Sequence, residues 1–145
     1  MKRKILFICD HNSARSQIAA ALMTKRCGAV YEAKSAGLEP GTLNPLAVEA
    51  LREIGIDISQ NKTQAVFDVW KSGELFEYVI TVCSEADAEG CPIFPGPAKR
   101  LHWPFDDPSK LTGTHEEKMT GTRRILKEID VTVKAFCQEH CLASI

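Results

Sequence analysis

The 145-residue chain has 44% hydrophobic and 26% charged residues and a formal net charge of −1, a balance suited to one compact domain over residues 1–145 with its own apolar core. It has no block of lysines and arginines, which argues against a nucleic acid as partner, and no apolar stretch near the ~20 residues that a membrane span needs. The opening Met-Lys-Arg-Lys precedes only a short apolar run that Asp10 ends, so a secretory signal is not expected. The cytoplasm is the expected location. Thiols are kept reduced there, so the six cysteines (Cys9, Cys27, Cys83, Cys91, Cys137 and Cys141) suggest metal binding or redox catalysis more than structural bridges.

Lys4 to Cys9 is a continuous apolar run, as in a strand covered on both faces. From about Ser13 to Cys27 the chain reads as a helix, with Ile18, Ala19, Leu22 and Met23 at helical spacing and Gly28 as the stop. The stretch "AVYEAKSAG" is a second strand. A second helix carries its own punctuation: Asn44 as N-cap, Pro45 in the first turn and Gly55 just past the end. "KTQAVFDVWKSGELF" reads as a less regular helix. Glu77 to Cys83 is another buried strand that ends in cysteine, and "KRLHWPF" is a short last strand. Thr114 to about Cys141 forms a long closing helix with Ile125, Leu126, Ile129, Val133 and Phe136 near one face. Strands alternating with helices predict an α/β fold: a four-stranded parallel sheet with helices on both faces. Sites in such sheets lie at the carboxyl ends of the strands. Cys9 and Cys83 both fall at such ends, which brings two distant cysteines to one crevice.

The loop "CDHNSARS" joins the first strand to the first helix. Unpaired N–H groups at a helix amino terminus point at whatever lies in front of it, and the helix dipole favours negative charge. An oxyanion fits such a cradle, built from Asp10, His11, Asn12, Ser13, Ala14, Arg15 and Ser16. Arg15 adds a planar, two-pronged donor. The same field favours a thiolate, and Cys9 at the base of the loop is then a nucleophile aimed at the bound anion. Ser13 and Ser16 can donate hydroxyls to the loop or the sulfur, and Asn12 tolerates a left-handed backbone. The Cys-x5-Arg spacing is weak alone; its place between strand and helix gives it meaning.

"CDHNSARSQIA" resembles the active-site loop of the low-molecular-weight protein tyrosine phosphatase fold, and more closely its thioredoxin-coupled arsenate reductase branch, through the Asn-Ser-x-Arg-Ser-Gln run at Asn12 to Gln17. The resemblance continues through "YEAKSAG", "NPLAVEALREIGIDIS", "VITVCSEADAEGCPIFPG" and "HWPFDDP", to about Pro108. It implies Asp107 as general acid, with Asp106 its competitor, and Cys83 and Cys91 as a redox pair acting in series. Their spacing is one residue longer than in the best-known members, and Gly90 fits the insertion. The tyrosines that follow Asp-Pro in the phosphatase branch are replaced by Ser109 and Lys110. Some members bind potassium through acidic residues; Ala20 and Gln64 stand at what look like those positions, so no potassium site is expected.

The implied activity is reduction of arsenate to arsenite, with a thioredoxin-like dithiol as partner and no cofactor. The alternative is a phosphomonoesterase using Cys9, Arg15 and Asp107 alone. A monomer is expected. Cys27 reads as helix-end packing. Cys137 and Cys141 beside His140 make too weak a set for a metal, so a frayed helix end is preferred and no metal site is expected. His102 and Trp103 read as packing residues.

Overall fold

The computed structural model describes residues 2–82 and 98–141. The strands are β1 (Arg3–Cys9), β2 (Tyr31–Gly37), β3 (Tyr78–Thr81) and β4 (Lys99–His102); the helices are α1 (Arg15–Cys27), α2 (Pro45–Glu53), α3 (Val66–Lys71) and α4 (His115–Cys141), with a 3-10 turn at Pro108–Lys110. All strands run parallel in the order β2-β1-β3-β4. Helices cover both faces, as the alternating sequence predicts.

β1 is central, and its alternation decides which side chains serve which face. Ile5, Phe7 and Cys9 join the larger core with Ile18, Leu22 and Ile80 and with the Ile125, Ile129 and Val133 stripe of α4. Leu6 and Ile8 point the other way and pack with Ala36, Val66, Val69, Phe76 and Val79. Every residue from Ile5 to Ile8 is fully buried, so a one-residue slip of this strand would exchange the two cores and deliver Cys9 to the wrong face.

Several elements are shorter than the sequence suggests. α1 starts at Arg15, because Cys9 to Ala14 are spent on the loop. The third helix keeps only Val66–Lys71: Gly37 N–H donates to the Gln64 carbonyl at 2.9 Å and Gly37 bridges Ala65, so the residues before α3 are held extended against the end of β2. The β3 ladder ends at Thr81, although Val82 N–H still donates to the Ile8 carbonyl at 2.7 Å. Cys83 and Cys91 lie outside the described residues. Asn44 caps α2 as expected, its Oδ1 accepting from Leu46 N–H at 2.8 Å. Gly55, at φ 84°, supplies the left-handed turn after it. Gly28 ends α1 for a different reason: its φ is −64°, and a Cβ there would lie 2.4 Å from the Thr24 carbonyl oxygen.

The largest departure concerns two cysteines. Cys27 does not merely pack and Cys137 is not part of a frayed end: they form a disulfide between the ends of α1 and α4, with Cα atoms 6.2 Å apart. Both are buried, and the pairing closes a sequence separation of 110 residues, a contact that only the helix packing reveals. His140 stacks on Phe136 at 4.0 Å. Among the described residues no group of three metal-ligating side chains occurs.

Because the bridge constrains a long segment of the unfolded chain, Cys137→Ser is expected to cost the oxidised protein about 4 kcal/mol. Guanidinium unfolding checks this: the difference from wild type should largely vanish in dithiothreitol, which removes the bridge from both.

Candidate active site

Cys9 ends β1, and the loop that follows is turned inside out. The carbonyls of Cys9, Asp10, His11 and Ser13 accept from the N–H groups of Leu38, Glu39, Gly41 and Asn44 at 2.8–3.1 Å. The Asn12 carbonyl accepts from Gln17 Nε2 at 3.1 Å, and that of Ala14 from Ile18 N–H at 2.8 Å. In a planar trans peptide the N–H points opposite to the carbonyl. Six carbonyls directed outward therefore direct the N–H groups of residues 10 to 15 inward. Asn12 makes the curl possible with φ 55° while fully buried. The cradle continues into α1, whose Ala14 N-cap has no side-chain cap and whose first turn has no acidic residue. Such a ring of inward N–H groups suits a tetrahedral oxyanion.

A chain of hydrogen bonds below the loop has a fixed direction. Gln64 N–H donates to Asn12 Oδ1 at 3.0 Å, which identifies the amide oxygen. Asn12 Nδ2 then donates to Ser16 Oγ at 2.8 Å. Ser16 Oγ also lies 2.9 Å from Cys9 Sγ, and its hydroxyl is the donor when that sulfur is ionised. A hydroxyl that donates to sulfur stabilises its charged form. Gln17 locks the same network from the other side: Nε2 also lies 3.3 Å from the Lys62 carbonyl, and Oε1 accepts from Asn61 Nδ2 at 3.0 Å.

Arg15 is almost fully buried and reaches across the mouth of the cradle. One guanidinium nitrogen donates to the Phe105 carbonyl at 3.2 Å. The other lies 3.4 Å from Asp10 Oδ2 and 3.5 Å from Asp107 Oδ2. This geometry separates the two candidate acids. Asp106 faces solvent and pairs with Arg124 at 3.2 Å, whereas Asp107 faces the loop, its other oxygen accepting from Ser109 N–H at 2.9 Å and Ser109 Oγ at 2.8 Å. His11 contributes backbone only: its exposed ring turns away to the Glu39 carbonyl, 2.9 Å from Nδ1. His102 packs at the sheet end, Nδ1 lying 2.7 Å from Thr81 Oγ1.

The low molecular weight phosphotyrosine protein phosphatase family matches residues 4–141. The chain belongs to this family. It is 43% identical over 138 residues to an arsenate reductase of Bacillus licheniformis, covering 94% of this chain and 96% of that one. An arsenate reductase from Archaeoglobus fulgidus superposes with a TM-score of 0.73 at 28% identity, over 91% of this chain and 97% of the other. A thioredoxin-dependent arsenate reductase of Corynebacterium glutamicum gives 0.72 at 30% identity, over 98% of this chain and 63% of its own length.

Three supports of the family loop have no such role in the sequence reading. Gln17 there only closes the Asn-Ser-x-Arg-Ser-Gln run and Gln64 only stands at a would-be potassium position; the fold places both beside Asn12. Gly37 is the third: a Cβ there would lie 2.5 Å from Asn12 N and 2.6 Å from the His11 carbonyl carbon, both backbone atoms that cannot swing aside. Its place after a strand, in "SAG", was the available clue. Gly37→Ala is expected to cost about 1–3 kcal/mol of stability and to lower sulfate affinity more than tenfold by pushing the loop outward; calorimetric titration beside a denaturant curve separates the two effects.

Proposed function

We propose that this chain is an arsenate reductase that converts arsenate to arsenite through the Cys9 thiolate. The observation that carries the reading is the cradle itself: inward N–H groups, the Arg15 fork and a sulfur held by Ser16 converge where a tetrahedral oxyanion fits. The relatives named arsenate reductase favour reduction over ester hydrolysis. A cleft of about 560 Å³ lies beside the loop at Ser13; among the described residues it is lined by Leu43, Leu46, Pro108, Ser109 and Leu111, among others, and by no Phe, Tyr or Trp.

In this mechanism Cys9 attacks arsenic, and an arsenate oxygen leaves as water after taking a proton from Asp107. Cys83 attacks the Cys9 sulfur. The electron pair of the sulfur–arsenic bond stays on arsenic, which falls from the +5 to the +3 state and departs as arsenite. A Cys9–Cys83 disulfide remains. Cys91 attacks Cys83, freeing Cys9, and a thioredoxin-type dithiol reduces the Cys83–Cys91 disulfide. The roles of Cys83 and Cys91 rest on the family resemblance. Such a cycle needs a reducing compartment, which favours the cytoplasm; no described helix is long and apolar enough to cross a membrane. We read the working unit as a monomer, since one chain holds all the groups the cycle uses.

The test is peptide mapping after one equivalent of arsenate, with arsenite and phosphate-ester assays alongside. Cys9→Ser should lose both activities. Cys83→Ser should release no arsenite but keep weak ester hydrolysis. Cys91→Ser should turn over once and accumulate the Cys9–Cys83 disulfide. Ester hydrolysis without any arsenite from wild type and reduced thioredoxin would favour the phosphatase reading.

Arg15→Lys is expected to weaken oxyanion binding at least tenfold, because a point charge cannot replace a two-pronged donor. Thermal stabilisation by sulfate, which follows binding by mass action, measures it.

A further inference from the structure

Resting on the oxyanion reading above, we propose that Asp10 is a specificity-determining residue: its carboxylate holds Arg15 and makes the cradle favour singly charged over doubly charged oxyanions.

Asp10 is the first residue of the loop after the nucleophile, and its side chain is largely buried, 19% exposed. Its Oδ2 lies 3.4 Å from the Arg15 nitrogen that also faces Asp107 Oδ2 at 3.5 Å. One guanidinium, only 5% exposed, thus serves two carboxyl groups. An arriving anion must take that guanidinium nitrogen from its partners and lie beside both carboxylates in a site with little water to screen them. A singly charged tetrahedral oxyanion has an advantage there over a dianion, in two ways. Its charge is smaller, and it has more hydroxyls to donate to a carboxylate. Dihydrogen arsenate and dihydrogen phosphate have charge −1 and two hydroxyls, their dianions have one hydroxyl, and sulfate has none at neutral pH.

Among the described residues, Asp10 meets Arg15 at the start of α1, which also meets Asp107 after β4, and Cys9 precedes Asp10 at the end of β1. His11 and Glu39 are the nearest titratable neighbours along the loop and the segment bonded to it, where Glu39 N–H donates to the Asp10 carbonyl at 2.8 Å. Thiol ionisation would add its own pH dependence, so binding is measured in two proteins: the Cys9→Ser parent and the Cys9→Ser/Asp10→Asn double variant. Asparagine keeps the shape of Asp10 and removes its charge.

Titration calorimetry with sulfate at pH 7 should show the double variant binding at least tenfold tighter than the parent. Phosphate should bind the parent at least fivefold tighter at pH 6 than at pH 8, as its monoanion gives way to the dianion. That ratio should fall toward unity in the double variant. Equal sulfate affinity in the two proteins, or weaker binding after Asp10→Asn, would overturn the proposal while leaving the oxyanion cradle intact. Absence of binding by any oxyanion to either protein would overturn the cradle as well. Asp10→Ser serves as a second substitution should Asp10→Asn not fold, and the pH dependence of the parent alone decides the question if neither does: phosphate affinity unchanged from pH 6 to pH 8 would refute it.

Discussion

The site depends on the close backbone approach of two chain segments. The end of β2 and the residues after it, Gly37 to Asn44, run against the loop that leaves β1. Their N–H groups take the loop carbonyls, from Leu38 on Cys9 to Asn44 on Ser13. The inward direction of the loop N–H groups is the other half of the same peptide planes. Nothing of this holds if the segments stand farther apart, and they stand so close only because residue 37 has no side chain. The parallel register that sets Cys9 opposite Gly37 is therefore as much a part of the site as the Cys9 thiol is.

The hydrogen-bond chain beneath the loop follows from the same pressure. A residue at φ 55° inside a protein stores strain that its surroundings must offset. Asn12 is held by its carbonyl, by Oδ1 and by Nδ2, through Gln17, Gln64 and Ser16. Ser16 Oγ, which accepts from Nδ2, also lies 2.9 Å from the Cys9 sulfur. What keeps the loop curled therefore also sets a hydroxyl beside Cys9.

Much of this was legible in the chain itself. Alternating apolar runs and amphipathic helices dictate the α/β order, and Asn44, Pro45 and Gly55 mark α2 because caps and turns are local chemistry. Cys9, Arg15 and Asp107 stand out as candidates in the sequence because a strand, a helix start and an Asp-Pro turn frame them, and the family resemblance prefers Asp107 to Asp106. Local sequence gives no geometry for that preference: adjacent residues project in different directions, and which of them meets Arg15 is fixed by how the chain leaves β4. The Cys27–Cys137 bridge and the glutamines around Asn12 were hidden for the same reason, since each depends on packing between elements far apart in sequence. α3 came out shorter than its composition suggests because Gln64 and Ala65 are engaged by Gly37, a tertiary contact that overrides local preference.

The cysteines show how little residue type decides by itself. Cys9, Cys27 and Cys137 are all buried and all belong to the same apolar cluster. Cys27 and Cys137 lie on helix ends with Met23 sulfur beside them, 3.2 and 3.6 Å away, and the packing of α1 on α4 brings them together as a disulfide. Cys9 sits where a strand gives way to inward N–H groups, a donating hydroxyl and the amino terminus of α1, all of which favour negative charge. The division between a staple and a nucleophile is thus made by the orientation of nearby dipoles. Those dipoles are oriented in turn by the backbone approach at Gly37.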